Sequence, residues 1–193
     1  MEFNSEIYLS PKYKKVDFKN LHLSLNSNDD IWHKAIEIFT NRIEGRFLSQ
    51  IRILTNDVNT NGFSIMALNC LLIETMLQFK IGKNTTPTSN SEQYSNFLQE
   101  IFPTVFTSDD SAKAFYGDIR CGILHSAQTK GYSKLTCENS YVVRFDGRGV
   151  TVSVEQFSIL LNQYFEEYKQ KLLDRSQVLL RTNFIKKMRY VCR

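Results

Sequence analysis

Metal-ligand spacing is missing from the four cysteines of this chain (Cys70, Cys121, Cys137 and Cys192), no two of which form a C-x-x-C pair. Cys70 and Cys121 fall inside apolar helical patterns, where a free thiol behaves as a small hydrophobe. No zinc site, and no other metal or cofactor, is expected. Long hydrophobic runs are missing as well: no stretch of about 18 apolar residues reads as a membrane span. The opening residues Met1-Glu2-Phe3-Asn4-Ser5-Glu6 lack the basic-then-apolar order of a signal peptide. The cytoplasm is therefore the expected compartment, with no membrane partner. A strong charge of one sign is also absent. The net charge of +4 permits contact with nucleic acid without demanding it. No internal repeat is visible.

What is present suits a packed core. The 193 residues fit one domain with a modest appendage, and 42% of them are hydrophobic. Residues 1–27 are polar, with Pro11 and a Lys12/Lys14/Lys15 cluster, and read as an arm holding one short strand near Ile7–Leu9. A helix is predicted from an Asn28/Asp29 cap, because Trp32, Ile36, Phe39, Ile43, Phe47, Ile51 and Leu54 recur in steps of three and four. A second helix runs from about Phe63 to Ile81, with Gly82 as its C-cap. It is apolar nearly all round between Ile65 and Leu77, as a central helix of a bundle is. Lys83–Ser91 reads as a loop containing Pro87, and Glu92–Ile101 as a short helix stopped by Pro103.

Ser108, Asp109 and Asp110 mark the start of a fourth helix, since a capping oxygen and two carboxylates suit the positive end of its dipole. That helix carries Ala112, Phe115, Ile119 and Ile123 on one face and ends near His125–Gln128. The period then changes. Tyr141, Val143 and Phe145, and later Val150, Val152 and Val154, alternate about an Asp146-Gly147-Arg148-Gly149 turn. This predicts a β-hairpin whose loop holds either two or four residues. Ser153 and Gln156 form a capping-box pattern before a last long helix, which continues past Asp174 into Lys186, Lys187, Arg189 and Arg193. The fold class expected is mainly α: a four-to-five-helix bundle over residues 28–193 with one inserted β-hairpin near 141–154.

One constellation carries chemistry. Arg120-Cys121-Gly122-Ile123-Leu124-His125 has the form R-x4-H near the end of the fourth helix, and no other Arg–His pair in the chain has that spacing. It precedes a polar, basic loop with Lys130 and Lys134. Such an Arg–His pair can supply a proton acceptor and a fixed cation for charge growing on phosphate oxygens. Histidine titrates near neutrality; arginine stays charged and offers a planar fork to phosphate. Five helical residues span about 500°, which points Arg120 and His125 roughly 140° apart. Either the helix ends or distorts near Gly122, or the two meet substrate only through a second copy of the chain.

Helical bundles bearing R-x4–6-H late in one helix resemble the HEPN superfamily, and the resemblance covers about residues 28–175 here. It implies a metal-independent endoribonuclease, a toxin or effector of prokaryotic defence, acting as a homodimer in which two copies of the motif build one composite site. It implies Arg120 as the phosphate-charge stabiliser, His125 as the general acid/base, and products with a 2′,3′-cyclic phosphate and a 5′-hydroxyl. A toxin of this kind also implies an antitoxin or regulatory protein. Many HEPN RNases carry Asn or Asp directly after the arginine, where this chain has Cys121. The alternative is a non-catalytic HEPN-like helical module that binds RNA, a nucleotide or a partner protein.

Glu74 stands in an otherwise apolar run, where a carboxylate is costly to bury unless paired. An ion pair that orients Arg120 is the reading we favour. Tyr116, one turn before Arg120, is placed to stack on a base or touch phosphate, though such a residue more often belongs to the core. Lys130 and Lys134 are candidates for RNA contact, against a plainer reading of Lys130 and Asp118 as solvated surface. For Arg120 and His125 the plain reading is an ordinary ion pair and a histidine suited to a helix C-terminus. His33 reads as a satisfied or surface histidine, His22 suggests no function, and the basic tail reads as a solvated helix end.

Overall fold

The computed structural model describes residues 7–85 and 90–193; the expected loop residue Pro87 lies outside them. The chain is mainly helical with a small three-stranded sheet. In order, the elements are α1 (Lys15–Lys19), α2 (Asp29–Ile43), α3 (Ser49–Leu54), α4 (Val58–Ile81), α5 (Asn90–Ile101), α6 (Asp109–Ala114) and α7 (Cys121–Ser126). Strands β1 (Lys134–Thr136), β2 (Val143–Phe145) and β3 (Val150–Ser153) come next, and then α8 (Val154–Leu173) and α9 (Val178–Val191). Two compact units are formed. The first takes the described residues of Met1–Gln50, Thr75–Thr86 and Phe165–Arg193; the second takes Ile51–Glu74 and the described residues of Pro87–Tyr164.

Aromatic packing centres the first unit. Phe39, fully buried, has its ring centroid 4.5 Å from Phe79, 5.3 Å from Phe184, 5.7 Å from Phe165 and 6.0 Å from Tyr168. The segment read as an arm joins this core. Leu9, Phe18 and Leu23 are buried, Tyr8 bridges to Lys14, and Arg42 donates to the Leu9 carbonyl at 2.9 Å. The tail differs from the continuous helix expected. Asp174 accepts from the Ser176 amide and hydroxyl at 2.8 Å each, a side-chain turn that ends α8 and lets α9 start anew. Helix α9 buries Phe184, Ile185, Met188 and Lys187, so the basic stretch is only partly a solvated end.

The second unit shows why local chemistry sets its boundaries. Helix α4 begins five residues before the expected Phe63, because polar side chains hold the chain helical there. Thr55 Oγ1 donates to the Ile51 carbonyl at 2.7 Å, Asn61 Nδ2 donates to the Leu54 carbonyl at 3.1 Å, and Asp57 accepts from the Thr60 amide at 3.2 Å. Ser108 caps α6 as expected, accepting from the Ser111 amide at 3.2 Å. Between α6 and α7 the helix widens into a π-turn, Phe115–Arg120. A stack of Phe102, Phe106, Phe115 and Phe157 fills the interior.

The hairpin is present with a four-residue loop: Phe145 pairs with Val150, and Asp146 accepts from the amides of Arg148 and Gly149 at 3.0 Å each. The expectation of a lone hairpin is corrected by β1, which pairs parallel to β3 in the order β1-β3-β2. Three residues, Lys134-Leu135-Thr136, are too few to show a period.

Expectation and structure also differ over the hydrophobic run. Within the helical stretch Asp29–Ile81 an 18-residue window averages a mean hydropathy of 1.4, long and apolar enough to cross a membrane by composition. Half of that window is buried inside the protein, as in a core helix. Replacing the central ring of the first unit, Phe39→Ala, is expected to lower the unfolding free energy by about 3–5 kcal/mol, read from urea titration followed by circular dichroism.

Candidate active site

Three of the residues expected at the site meet in the second unit. Glu74 projects from α4, Arg120 closes the π-turn, and His125 sits in the last turn of α7. Arg120 Nη2 donates to Glu74 Oε2 at 2.5 Å, with side chains only 13% and 19% exposed. This is the pairing that a carboxylate in an apolar run calls for. Burial works against the Arg120 charge, but the hydrogen bond and attraction of Glu74 outweigh it and hold the guanidinium protonated above its ordinary range.

The other edge of the guanidinium faces His125. Nη1 lies 3.4 Å from His125 Nε2 and 3.8 Å from Cys121 Sγ. A guanidinium only donates, so in a hydrogen bond across the first contact Nε2 is the acceptor. The imidazole is otherwise exposed. One chain is thus enough to bring the two residues together despite their angular separation. The distortion lies upstream of Gly122, where the Cys121 amide donates to the Tyr116 carbonyl in the i→i+5 pattern of a π-turn. The long arginine side chain covers the remaining angle.

Tyr116 and Cys121 also belong to the cluster. The guanidinium carbon stands 5.5 Å from the Tyr116 ring centroid, a cation–π contact, and Tyr116 packs on Tyr94 at 5.2 Å. Burial pushes the Tyr116 hydroxyl up, and the neighbouring Cys121 adds to the shift. Arg120 Nε is buried with no partner among the described residues.

Tyr94 escaped the sequence reading. It is fully buried, and its hydroxyl reaches the Cys70 carbonyl at 3.5 Å. Its only signal was a place on the inner face of a short helix, which marks core and not site.

Asp118 is corrected from solvated surface to a structural tie. Its carboxylate accepts from Ser133 Oγ at 2.8 Å, the same oxygen accepts from the Val150 amide at 2.9 Å, and the Asp118 carbonyl accepts from the Lys130 amide at 3.1 Å. These bonds hold the loop after His125 to both helix and sheet. Ala127 ends α7 in the left-handed region at φ 54°, its amide bonded to the Ile123 carbonyl at 3.1 Å. Lys130 and Lys134 are both exposed, one in this loop and one opening β1. Among the described residues, the cluster around the Arg120 guanidinium is formed by Glu74, Tyr116, Cys121 and His125, without either lysine.

Among the described residues, no group of three or more His, Cys, Asp or Glu side chains is arranged to hold a metal ion. In comparisons with known proteins the chain matches no family model, no curated protein and no solved structure.

Two stability outcomes arise from this geometry. Glu74→Ala leaves a half-buried guanidinium unpaired and is expected to cost about 2–3 kcal/mol of unfolding free energy in urea titration. At Gly122 an added Cβ would stand 2.4 Å from the Gln128 carbonyl oxygen, which is backbone and cannot swing away. Gly122→Ala is therefore expected to cost about 1–3 kcal/mol and to speed hydrogen exchange at the Lys130 amide.

Proposed function

We propose that the protein is a metal-independent endoribonuclease of the HEPN type. The observation that carries this reading is the 3.4 Å approach of the Arg120 guanidinium to Nε2 of an exposed His125, with Glu74 fixing the far side of the fork. In this reading substrate phosphate draws Arg120 Nη1 off His125 Nε2. The freed lone pair takes the proton of a ribose 2′-hydroxyl, and the 2′-oxygen attacks the adjacent phosphorus. Arg120 donates to the phosphorane oxygens as their charge grows. The bond to the 5′-oxygen breaks, and that oxygen leaves with a proton, giving a 2′,3′-cyclic phosphate and a 5′-hydroxyl. One histidine supplies the base. The His125 of a second copy supplies the acid, which makes the working form a homodimer with a composite site. Lys130 and Lys134 contact the RNA backbone. The biological role that fits is a defence toxin or effector in the cytoplasm, held in check by an antitoxin or regulatory protein. The bundle with its R-x4-H motif supports the family reading.

A second reading is favoured by a specific contact: the Glu74 carboxylate already occupies Nη2, one of the donors a phosphate needs. In that reading the helical module binds RNA, a nucleotide or a partner protein and cleaves nothing. Cleavage of total RNA in EDTA separates the two. Wild type is expected to cleave, and His125→Ala and Arg120→Ala to lose at least about a hundredfold in rate with unchanged circular dichroism. Wild type that leaves RNA intact, and whose expression does not slow growth, would sink the nuclease reading in favour of the binding module.

A further inference from the structure

The first unit contains a cavity of about 520 Å³ lined by five cationic side chains: Lys15, Arg42, Arg46, Lys187 and Arg193. Among the described residues, no acidic side chain lines it. Lys187 is 4% exposed, and its ammonium donates to Gln78 Oε1 and the Asn84 carbonyl at 2.7 Å each. An ammonium has three donors, so one is left for a ligand. Arg42 uses Nη1 on the Leu9 carbonyl, and Arg46 Nε is buried with no partner among the described residues. Arg46 lies in a second π-turn, Glu44–Leu48, one helical turn beyond Arg42.

Holding these charges together is unfavourable. Burial, with the Arg42 charge adding to it, pushes the Lys187 ammonium down to about 8. Burial, with Arg46 adding to it, pushes the Arg42 guanidinium down to about 10. Like charges one turn apart on a helix repel, and apolar side chains would fill the same space at lower cost. Arg42 and Lys187 tie the Leu9, Gln78 and Asn84 oxygens, and Lys187 and Arg193 lie over the Tyr190 ring, but these partners are neutral and leave the charge of the lining unbalanced; an anion would balance it.

We propose that this cavity binds a small anion carrying two or more phosphate groups, such as pyrophosphate or the phosphate chain of a nucleotide. Two guanidinium forks match phosphate oxygens in geometry. A single phosphate monoester carries only about −1.5 to −2, too little to balance five cations, and this selects a longer phosphate chain. The volume falls in the range of small-molecule sites. The site is separate in residues from the candidate active site, and its assignment does not rest on the nuclease reading.

Isothermal titration calorimetry tests it, with pyrophosphate, tripolyphosphate, ATP and citrate titrated separately into the full chain. Pyrophosphate is expected to bind, and Arg46→Gln to weaken it by about tenfold or more. Lys187→Met is expected to act the same way, and Arg120→Ala to leave binding unchanged. Arg46 is less buried than Lys187, so Arg46→Gln decides the matter even if Lys187→Met does not fold. ATP binding more tightly than tripolyphosphate assigns the site to a nucleotide; equal binding assigns it to the phosphate chain alone; both support the proposal. It is overturned by no heat at about millimolar pyrophosphate, by binding that survives Arg46→Gln, or by binding that Arg120→Ala alone removes. Citrate binding as tightly as tripolyphosphate would equally overturn it.

Discussion

The second unit depends on one ion pair. Glu74 is the single carboxylate in the run Leu71–Leu77, and a charge there cannot stay without a partner. Its 2.5 Å contact with Arg120 removes that difficulty and fixes the far end of the π-turn against α4. Much rests on that anchor. With Nη2 held, the remaining edge of the guanidinium points along α7 to His125, and Tyr116 closes over the plane of the fork. The tyrosine is itself seated on the buried Tyr94. A network of this kind is strong when every member is matched. Here one donor, Arg120 Nε, is left over.

Around that anchor the chain uses glycine and short polar side chains to keep the loop after His125 in place. Gly122 lets the Gln128 carbonyl pass where a side chain would stand, and Asp118 and Ser133 pin the same loop to the sheet. The imidazole therefore sits at the rim of a supported surface, exposed but not on a free end. Its neighbour Ala127 accepts a left-handed backbone that costs an ordinary residue about 1–2 kcal/mol. The bonds around it hold that conformation.

Long-period features could be read from the sequence, and short or distorted ones could not. The stripe on α2 repeats its signal over several turns, and the Ser108 cap and the Asp146–Gly149 turn each concentrate theirs in a few residues of fixed type. Glu74 could be read because a charge in an apolar run demands an explanation, and Arg120 is the partner it has. Strand β1 is too short to show a period. The extra turn after Asp174 was hidden because it rests on one Asp174–Ser176 side-chain contact, with no glycine or proline to mark it. The packing of Leu9, Phe18 and Leu23 was hidden because burial in a polar segment is decided by residues far along the chain, such as Arg42 and Arg189, which donate to the Leu9 and Leu23 carbonyls. The π-turns were invisible for a related reason: nothing in Phe115–Arg120 or Glu44–Leu48 marks which backbone amide skips a carbonyl.

Those two π-turns have a further consequence. Each fits one residue more into a helical turn than the α-helix around it, and one residue rotates the rest of the helix by about 100°. Each also carries an arginine with a buried, unmatched Nε, Arg46 in one unit and Arg120 in the other. In evolutionary terms such a turn is a single-residue insertion absorbed without breaking a helix. Chains descended from a common ancestor but lacking either insertion would align with this one through a one-residue gap at that point. Past the gap their core positions would still coincide.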